Sequence, residues 1–386
     1  MAIESSVIQL VDDIIQSAVA YSASDIHFES TAQDLRVRYR IDGLLYDQQA
    51  IAQSRALQIL SRIKIMSHLD IAEKRIPQDG KFRIKYNNQE IDLRVSSFPS
   101  VYGEKIVIRI LDRSHTMIVL DNLGMSCTIY KGLKDLIEKQ HGFFLVTGPT
   151  GSGKTTTLYG ALAWLNTAEK NIITLEDPVE YNISGITQGQ IHPQAGFTFA
   201  RGIRSMLRQD PDVVMIGEIR DKETARIAIE AALTGHMVLS TVHTNNAPSV
   251  IMRLMDMGIE PFLINAALTG VLAQRLVRIL CSACKYLRSP NEQEKSVMHN
   301  IGLSLDMLYD AKGCTHCLSL GYKGRTGIFE LLIMTDALRE LIVQHPSFNG
   351  IHDQVLKDGM QTLLNDAKDK VKHGIISLKE LLRVLL

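Results

Sequence analysis

The sequence predicts an α/β protein of two domains, in which a small α+β domain precedes a larger domain built on a mostly parallel sheet. Residues 34–112 alternate apolar with charged residues, a period of two that is typical of half-buried strands. From residue 122 onward, short apolar segments alternate with helical ones, which favours parallel strands covered by helices. The length of 386 residues agrees with two or three domains.

The N-terminal domain is expected over residues 1–113 and begins with a helix near residues 5–20. Its strands include two that flank Asn87-Asn88-Gln89, which indicates a hairpin. A second helix is predicted over 54–74, because Leu57, Leu60, Ile63, Ile65 and Leu69 follow helical spacing. Residues 114–121 carry no regular pattern and are predicted to be a linker.

The second domain is expected over residues 122–386. Its short apolar strands are predicted at 143–147, 171–175, 213–216 and 237–242. Ligands of such sheets bind at the carboxyl ends of the strands, so the polar residues that follow each strand are the candidates for a site.

A phosphate-binding loop follows the first of these strands. Residues 148–155 read G-P-T-G-S-G-K-T between a predicted strand and a predicted helix, which is the context that a P-loop requires. The alternative is a glycine-rich turn that matches by chance, and the strand and helix on either side argue against it. The residues expected to hold ATP are Gly148, Pro149, Thr150, Gly151, Ser152, Gly153, Lys154, Thr155 and Thr156, with the Thr155 hydroxyl on Mg²⁺.

Carboxylates follow the next two strands and are the candidates for magnesium binding and water activation. Glu176 and Asp177 follow strand 171–175, and Glu218 follows strand 213–216. Gly217 stands where a Walker B aspartate is common, so the two tasks are expected to be divided between Glu218 and the Glu176–Asp177 pair. The alternative is that these carboxylates only cap helices or pair with nearby arginines. His243 follows strand 237–242, where a sensor of the γ-phosphate would form a hydrogen bond.

Four cysteines form two C-x-x-C pairs, Cys281 with Cys284 and Cys314 with Cys317. Four thiolates in this arrangement suit tetrahedral Zn²⁺, and a reducing cytoplasm disfavours two structural disulfides. The alternative is a set of reduced thiols without metal. A zinc-binding subdomain is therefore expected over 278–330, with a helical segment in 290–310 and with His316 facing solvent.

Composition excludes several classes of protein. Lys plus Arg and Asp plus Glu both number 42, and this zero formal charge disfavours a nucleic-acid-binding protein. The first thirty residues are acidic, unlike a signal peptide, and no apolar run reaches the ~20 residues of a membrane helix. We expect a cytoplasmic protein without direct membrane insertion, whose contact with the inner membrane goes through partners.

Several longer motifs resemble one family over nearly the whole chain. They are A-S-D-I-H-F-E (23–29), P-Q-D-G (77–80), G-E-K-I-V-I-R-I-L (103–111), I-T-L-E-D-P-V-E-Y (173–181), M-I-G-E-I-R-D (215–221), T-G-H-M-V-L-S-T-V-H-T-N (234–245) and G-Y-K-G-R-T-G-I-F-E (321–330). With the P-loop and the four cysteines, the sequence resembles the ATPases of type II secretion and type IV pilus assembly. Members usually carry a further N-terminal domain, so the sequence is either a short member or a shortened piece.

The resemblance implies a homo-hexameric motor with a RecA-like ATPase domain and a smaller, PAS-like N-terminal domain that swings against it. It also implies that Arg94, Arg109 and Arg325 approach the nucleotide. Expected partners are the inner-membrane platform and recruitment proteins of the secretion or pilus system, and no nucleic acid.

The preferred prediction is an ATPase that powers type II secretion through pseudopilus assembly, with type IV pilus extension as the first alternative. The tetracysteine segment argues against a pilus retraction ATPase, which resembles the rest of the sequence but lacks it. A nucleotide-dependent scaffold with little hydrolysis is the alternative of another class, and a DNA translocase is disfavoured by the neutral charge.

Overall fold

The computed structural model describes residues 6–112, 119–344 and 346–386, without the side chain of Asp112. The chain divides into two compact units, Met1–Thr116 and Met117–Leu386. Most of the linker predicted over 114–121 lies outside the described residues, because the description stops at residue 112 and resumes at residue 119.

The N-terminal unit is an α+β unit, as predicted. Its described elements in chain order are α1 (Val7–Ala20), β1 (Asp25–Ser30), β2 (Asp34–Ile41), β3 (Leu44–Ala52), α2 (Gln53–Met66), β4 (Gln78–Tyr86), β5 (Gln89–Ser100) and β6 (Gly103–Asp112).

The described strands of this unit form one antiparallel sheet in the order β3-β2-β1-β6-β5-β4. Apolar residues of alternate positions, such as Phe28, Val37 and Ile108, are fully buried. The intervening positions of β2, β5 and β6 carry arginines and lysines. This division gives the sheet one apolar face and one charged face, as the period of two predicted.

Helix α2 departs from the prediction in its end and in its buried face. The helix ends at Met66 rather than near residue 74. Leu57 and Ile65, which were expected to face the core, are 63% and 52% exposed. The buried residues Ala56, Ile59, Leu60 and Ile63 follow the spacing of one helical stripe. The prediction combined residues from two neighbouring stripes and extended them into the irregular segment after the helix.

The second unit is larger and of mixed α/β type. Its described helices are α3 (Cys127–Ile137), α4 (Lys154–Leu165), α5 (Phe199–Met206), α6 (Lys222–Leu233), α7 (Pro248–Asp256), α8 (Pro261–Ala267), α9 (Glu292–Asn300), α10 (Asp336–Gln344), α11 (Phe348–Lys357), α12 (Leu363–Lys372) and α13 (Leu378–Leu385). Its described strands are β7 (Gly142–Thr147), β8 (Ile172–Glu176), β9 (Thr187–Gln190), β10 (Val213–Ile216), β11 (Met237–Val242), β12 (Leu268–Leu280), β13 (Lys285–Arg288), β14 (Leu308–Ala311) and β15 (Tyr322–Ile333).

The main sheet of this unit has the order β15-β12-β7-β11-β10-β8-β9 among the described strands. All neighbouring pairs are parallel except β12 with β15. The four strands predicted from apolar runs correspond to β7, β8, β10 and β11, each within a residue of the predicted bounds. Strand β7, which precedes the glycine-rich loop, lies between β12 and β11.

Helices cover both faces of the main sheet. Phe143 and Leu145 of β7 pack into one apolar cluster with helices α5 to α8, α10 and α11, whereas Phe144 and Val146 pack into another with α3 and α4. Residues of β7 are buried on both faces, which explains why its sequence is an unbroken apolar run rather than an alternating one.

Strand β12 continues past β7 into the cysteine-containing part of the unit. Arg278, near the end of β12, donates from Nη2 to Oε2 of Glu380 at 2.7 Å, and the Glu380 side chain is fully buried. Arg383 donates from Nε to the same carboxylate oxygen at 2.9 Å. This buried ion pair ties α13 to β12. Helix α9 lies in the interval 290–310, where a helical segment was predicted.

Candidate nucleotide-binding site and metal centre

The glycine-rich loop joins β7 to α4 and turns on residues that a side chain would obstruct. Gly148 has φ +148°, and a Cβ there would lie 2.5 Å from the carbonyl oxygen of Gln274. Gly153 caps α4 with φ +88°. Helix α4 begins at Lys154, so the positive end of its dipole meets the loop. The buried Oγ of Ser152 has no hydrogen-bond partner, which fits a loop built to receive an anion.

Lys154 lies folded back on this loop. Its Nζ donates to the carbonyl oxygens of Gly148 at 2.9 Å and of Pro149 at 3.2 Å. Burial lowers the pKa of Lys154, nearby Arg275 lowers it further, and the Glu218 carboxylate opposes both. Thr155 follows Lys154 in the first turn of α4 and is exposed. A phosphate group entering the loop would replace weak carbonyl acceptors with charged ones.

Glu218 lies next to His243, as the parallel pairing of β10 with β11 requires. Oε1 of Glu218 is paired with the guanidinium of Arg220, and Oε2 lies 3.7 Å from Nε2 of His243. Burial lowers the pKa of His243, and the charges of Lys154 and Arg220 lower it further against the opposing effect of Glu218. The imidazole is therefore neutral at physiological pH.

A cavity of about 430 Å³ borders this carboxylate. It is lined by Glu218, Ile219, Arg220, His243, Arg253 and Met257. A Cβ at Gly217 would lie 3.4 Å from the Cα of Glu176, an ordinary van der Waals distance. The glycine in the Walker B position thus lies beside the end of β8.

Glu176 belongs to a different network. Its buried carboxylate accepts hydrogen bonds from Thr174 Oγ1 at 2.5 Å, from Gln188 Nε2 at 3.2 Å and from the hydroxyl of Tyr159. Burial and the neighbouring carboxylate raise the pKa of Tyr159, which therefore remains a donor. These bonds join α4, β8 and β9 behind the glycine-rich loop. The structure thus brings Lys154, Glu218 and His243 together, whereas the carboxylate of Glu176 is engaged in hydrogen bonds of the protein interior.

Thr147, the last residue of β7, was not singled out by the sequence. Its Oγ1 accepts a hydrogen bond from the backbone N–H of Thr244 at 2.9 Å and contacts Thr244 Oγ1 at the same distance. The strand that leads to the glycine-rich loop is thereby joined to the segment that follows His243. The sequence does not mark Thr147 as part of the site, because its hydrogen-bond partner, Thr244, lies 97 positions away.

The two predicted arginines of the N-terminal unit form part of one transverse row of charges. Arg40, Asp25, Arg109, Arg94 and Lys81 lie at successive paired positions across five strands. Nε of Arg109 lies 3.1 Å from Asp25 Oδ1, while Nε of Arg40 lies 3.5 Å from Oδ2. Arg94 and Lys81 are exposed. The row carries four positive charges against one carboxylate, an arrangement suited to an anion.

Arg325, the third predicted arginine, lies in the second unit. It is an exposed residue of β15 and is paired across the strands with Arg278 of β12.

The four cysteines come together as predicted. Their Sγ atoms all lie within 4.8 Å of one another, with Cys281–Cys314, Cys284–Cys317 and Cys314–Cys317 separations of 3.9, 3.8 and 3.8 Å. A tetrahedral zinc with Zn–S bonds of about 2.3 Å places its sulfurs about 3.8 Å apart, so the arrangement fits zinc. Among the described residues, this is the only group of three or more metal-ligating side chains that is close enough to hold an ion.

Hydrogen bonds from the backbone favour the thiolate form of Cys317. Backbone N–H groups of Cys314 and Gly321 each donate to Cys317 Sγ at 3.2 Å. Burial raises the pKa of the Cys317 thiol, but these donors outweigh it and lower the pKa to about 7. His316 is exposed, as predicted, with Nδ1 3.7 Å from Cys281 Sγ and Nε2 3.1 Å from Lys323 Nζ.

The family model described as Type II/IV secretion system protein matches residues 2–383. The chain belongs to this family. It is 47% identical to the Type II secretion system ATPase E of Vibrio cholerae, over 99% of this chain and 76% of that one. It is also 46% identical to the Type IV pilus assembly ATPase PilB of Thermus thermophilus, over 98% of this chain and 43% of the relative.

Two solved structures share the fold of this chain. The ATPase DotB of Legionella pneumophila aligns with a TM-score of 0.70 at 21% identity, over 97% of this chain and 95% of that one. The pilus retraction motor PilT, solved with bound ADP, aligns with a TM-score of 0.63 at 25% identity, over 96% of this chain and 95% of that one. In the part of this chain that the structure describes, every helix is too short or too polar to cross a membrane.

Proposed function

We propose that the protein is an ATPase of a type II secretion system, in which ATP hydrolysis powers pseudopilus assembly. The observation that carries the proposal is the grouping of Lys154, Glu218 and His243 beside a glycine-rich loop with an unpartnered buried hydroxyl. The relatives named Type II secretion system ATPase E support the choice of system, since they match nearly the whole chain. Type IV pilus extension is the second candidate, favoured by the PilB relative.

The roles of the site residues follow from their positions. Backbone N–H groups of the loop and Nζ of Lys154 bind the phosphates. Glu218 Oε2 accepts the proton of the attacking water, because Oε1 is engaged by Arg220. Neutral His243 donates a hydrogen bond toward the terminal phosphate from the same edge of the sheet. Glu176 holds α4 against β8 behind the loop through its hydrogen bond from Tyr159.

Magnesium fits the same edge of the sheet. The exposed Thr155 hydroxyl and the carboxylate of Asp177 are oxygen ligands of the kind that Mg²⁺ prefers. The bound ion would neutralise charge on the β- and γ-phosphates.

Arg94, Arg109 and Arg325 complete the site. The transverse row of the N-terminal unit holds two guanidinium groups side by side, and guanidinium groups bind phosphate oxygens bidentately without losing their charge. Nucleotide attracts the N-terminal domain through these groups, and hydrolysis releases it. In a homo-hexamer of such chains, this cycle of closing and opening displaces a docked protein.

The protein works in the cytoplasm on an inner-membrane platform protein, and recruitment proteins hold it there. Zn²⁺ bound by Cys281, Cys284, Cys314 and Cys317 stabilises the segment between β12 and β15 and takes no part in the chemistry. A scaffold that binds nucleotide without turnover is disfavoured by the Glu218–His243 arrangement, which a binding protein does not need.

The test is the Lys154→Ala variant. It removes the cation of the loop while leaving the fold, since the hydrogen bonds described for Lys154 Nζ go to carbonyl oxygens of the loop itself. We expect ATP hydrolysis to fall on the order of 10²–10³-fold, measured as phosphate release by the assembled protein. Lys131→Ala, an exposed lysine of α3, is the matched control and should keep the normal rate. Near-normal hydrolysis by Lys154→Ala would contradict the assignment of the loop.

A further inference from the structure

The middle of β12 lies beside the glycine-rich loop and carries two adjacent polar residues. Ala273 of β12 is paired with Thr147, the last residue of β7. Gln274 and Arg275 follow directly. Because successive side chains of a strand point to opposite faces of the sheet, Gln274 can reach the loop while Arg275 reaches the opposite face.

Gln274 contacts the glycine-rich loop and helix α4 through its side-chain amide group. Its side chain is buried, at 2% exposure of the residue. Nε2 donates to the carbonyl oxygen of Ser152 at 2.7 Å, and Oε1 accepts from Thr157 Oγ1 at 2.8 Å. Its own carbonyl oxygen lies where a Cβ on Gly148 would clash. The amide therefore joins Ser152 of the loop and the first turn of α4 to β12.

Arg275 contacts the segment that follows His243. Nη2 donates to the carbonyl oxygen of Asn245 at 2.9 Å and lies 3.4 Å from Asn245 Oδ1, while Nη1 donates to the carbonyl oxygen of Gln274 at 3.4 Å. The guanidinium is half-buried. It is near enough to Lys154 to lower the pKa of that ammonium, so two cations share this corner of the site.

A buried carboxylate stands behind Arg275. Glu330 of β15 is 4% exposed and accepts hydrogen bonds from the backbone N–H of Ala247 at 2.8 Å and of Leu363 at 3.2 Å. Glu330 also raises the pKa of Arg275, although burial lowers it overall. The carboxylate thus fixes the start of α7, which follows the His243 segment, and supplies the opposite charge to Arg275.

We propose that Gln274 and Arg275 together form a brace of the nucleotide site. Gln274 holds the glycine-rich loop in the conformation that binds any nucleotide, and Arg275 holds the segment after His243 in the position that contacts the terminal phosphate. The proposal rests on the proposed ATPase site. Both are positioning residues, since they act through other groups. Gln274 holds the part of the site that surrounds the phosphates shared by ADP and ATP. Arg275 holds the part that only the γ-phosphate reaches.

The test compares the affinities for ADP and for a non-hydrolysable ATP analogue in the full-length protein with Mg²⁺. Gln274→Met keeps the length of the side chain and removes both hydrogen bonds, so it should weaken both nucleotides about tenfold. Thr157→Val removes only the hydrogen bond that orients the Gln274 amide, and it should weaken the binding of both nucleotides by a smaller factor. Arg275→Gln should leave ADP binding unchanged, weaken the ATP analogue about tenfold and lower kcat, and Arg275→Lys should restore part of the loss.

Thr269→Val is the matched control. Thr269 lies on the same strand and donates from Oγ1 to the carbonyl oxygen of Phe143 at 3.1 Å, away from the loop. The substitution removes a buried hydrogen bond between β12 and β7, so it should lower the melting temperature while leaving the affinities for ADP and for the ATP analogue unchanged.

Two results would overturn the brace. One is wild-type affinity for both nucleotides in Gln274→Met and Thr157→Val. The other is an Arg275→Gln variant that weakens ADP and the analogue equally. If the wild-type protein bound neither nucleotide, the proposed function would fail together with the brace, whereas normal binding by the wild type and all variants would overturn the brace alone.

Discussion

Arg94 and Arg109 lie directly opposite each other on the antiparallel strands β5 and β6, so two guanidinium groups occupy one cross-strand pair. Like charges in this position are destabilising by themselves. Asp25 offsets the charge of Arg109, at 3.1 Å between Nε and Oδ1, and Arg94 lies beyond it in the row. An anion between the two guanidinium groups would offset this repulsion, and that is the role proposed for the nucleotide.

The first prediction concerns this pair. Arg94→Ala and Arg109→Ala should each retain nucleotide binding, because the glycine-rich loop is untouched, and should lose turnover by on the order of 10²-fold. Phosphate release and nucleotide titration measure the two effects separately. Arg83→Ala is the control, since Arg83 lies on β4 of the same sheet and is paired with Glu90 and Asp92. Full activity of both arginine variants would exclude the N-terminal unit from the chemistry.

The second prediction separates the two candidate carboxylates. Glu218→Gln should bind ATP normally and lose hydrolysis by about 10²–10⁴-fold, because the amide keeps the shape and loses the basicity. Glu176→Gln should instead lower the melting temperature, since its carboxylate accepts three buried hydrogen bonds, and should reduce turnover less. A Glu176→Gln variant with the greater loss of hydrolysis would reverse the two roles.

The third prediction concerns the cysteines. Protein purified without added zinc should contain about one equivalent of Zn²⁺ per chain by elemental analysis. Cys284→Ser should lose the metal and increase proteolytic cleavage in the segment 281–317, because structural zinc binding is itself folding free energy. Cys127→Ser, which changes an exposed cysteine outside the cluster, should keep both the metal and the resistance. Metal-free protein with an unchanged melting temperature would contradict the zinc assignment.

The fourth prediction is a pH dependence of stability. Burial raises the pKa of Glu380, but hydrogen bonds from Arg383 and Arg278 outweigh it and hold the pKa at about 2, below the ordinary value of 4.5. A carboxylate whose pKa is lower in the folded than in the unfolded protein stabilises the fold at pH values above its unfolded-state pKa. This stabilisation is lost as the pH falls through the folded-state pKa. The contribution is about 3 kcal/mol above pH ~4.5 and declines between about pH 4.5 and 2.

Denaturant unfolding of Glu380→Gln at several pH values tests this prediction. The variant should be less stable than the wild type at pH 7, and the difference should shrink as pH falls through that window. Glu340→Gln, an exposed glutamate of α10, should follow the wild-type curve. A difference that does not change with pH would mean that the Glu380 carboxylate contributes through packing alone.

Local patterns were sufficient for much of the fold and for part of the candidate site. Strands β7, β8, β10 and β11 of the main sheet are short, mainly apolar runs, and the P-loop and cysteine motifs are local patterns, so each could be located without knowing the tertiary structure. Strands β9, β12 and β15 contain several polar residues and were not predicted. Helix α2 was extended too far because nothing in its sequence marks the end at Met66, where Ser67 and the left-handed His68 turn the chain.

The contacts that sequence reasoning missed depend on strand register. Gln274 meets Ser152, 122 positions away, only because β12 pairs with β7. Tyr159 binds Glu176 only because α4 packs on β8. Glutamine, tyrosine and threonine are common in strands and helices, and each gains its role from a partner that the linear order does not reveal.

Strand β12 has a mechanical consequence. Gln274 near its middle meets the glycine-rich loop, and Cys281 follows its last residue, so the two lie about 23 Å apart along an extended chain. Beyond Ala273 this stretch is paired with β15 as a two-stranded ribbon. Arg278, near the far end of the ribbon, is paired with the buried Glu380 of α13. The ribbon is therefore held at both ends and forms a rigid connection between the glycine-rich loop and the cysteines.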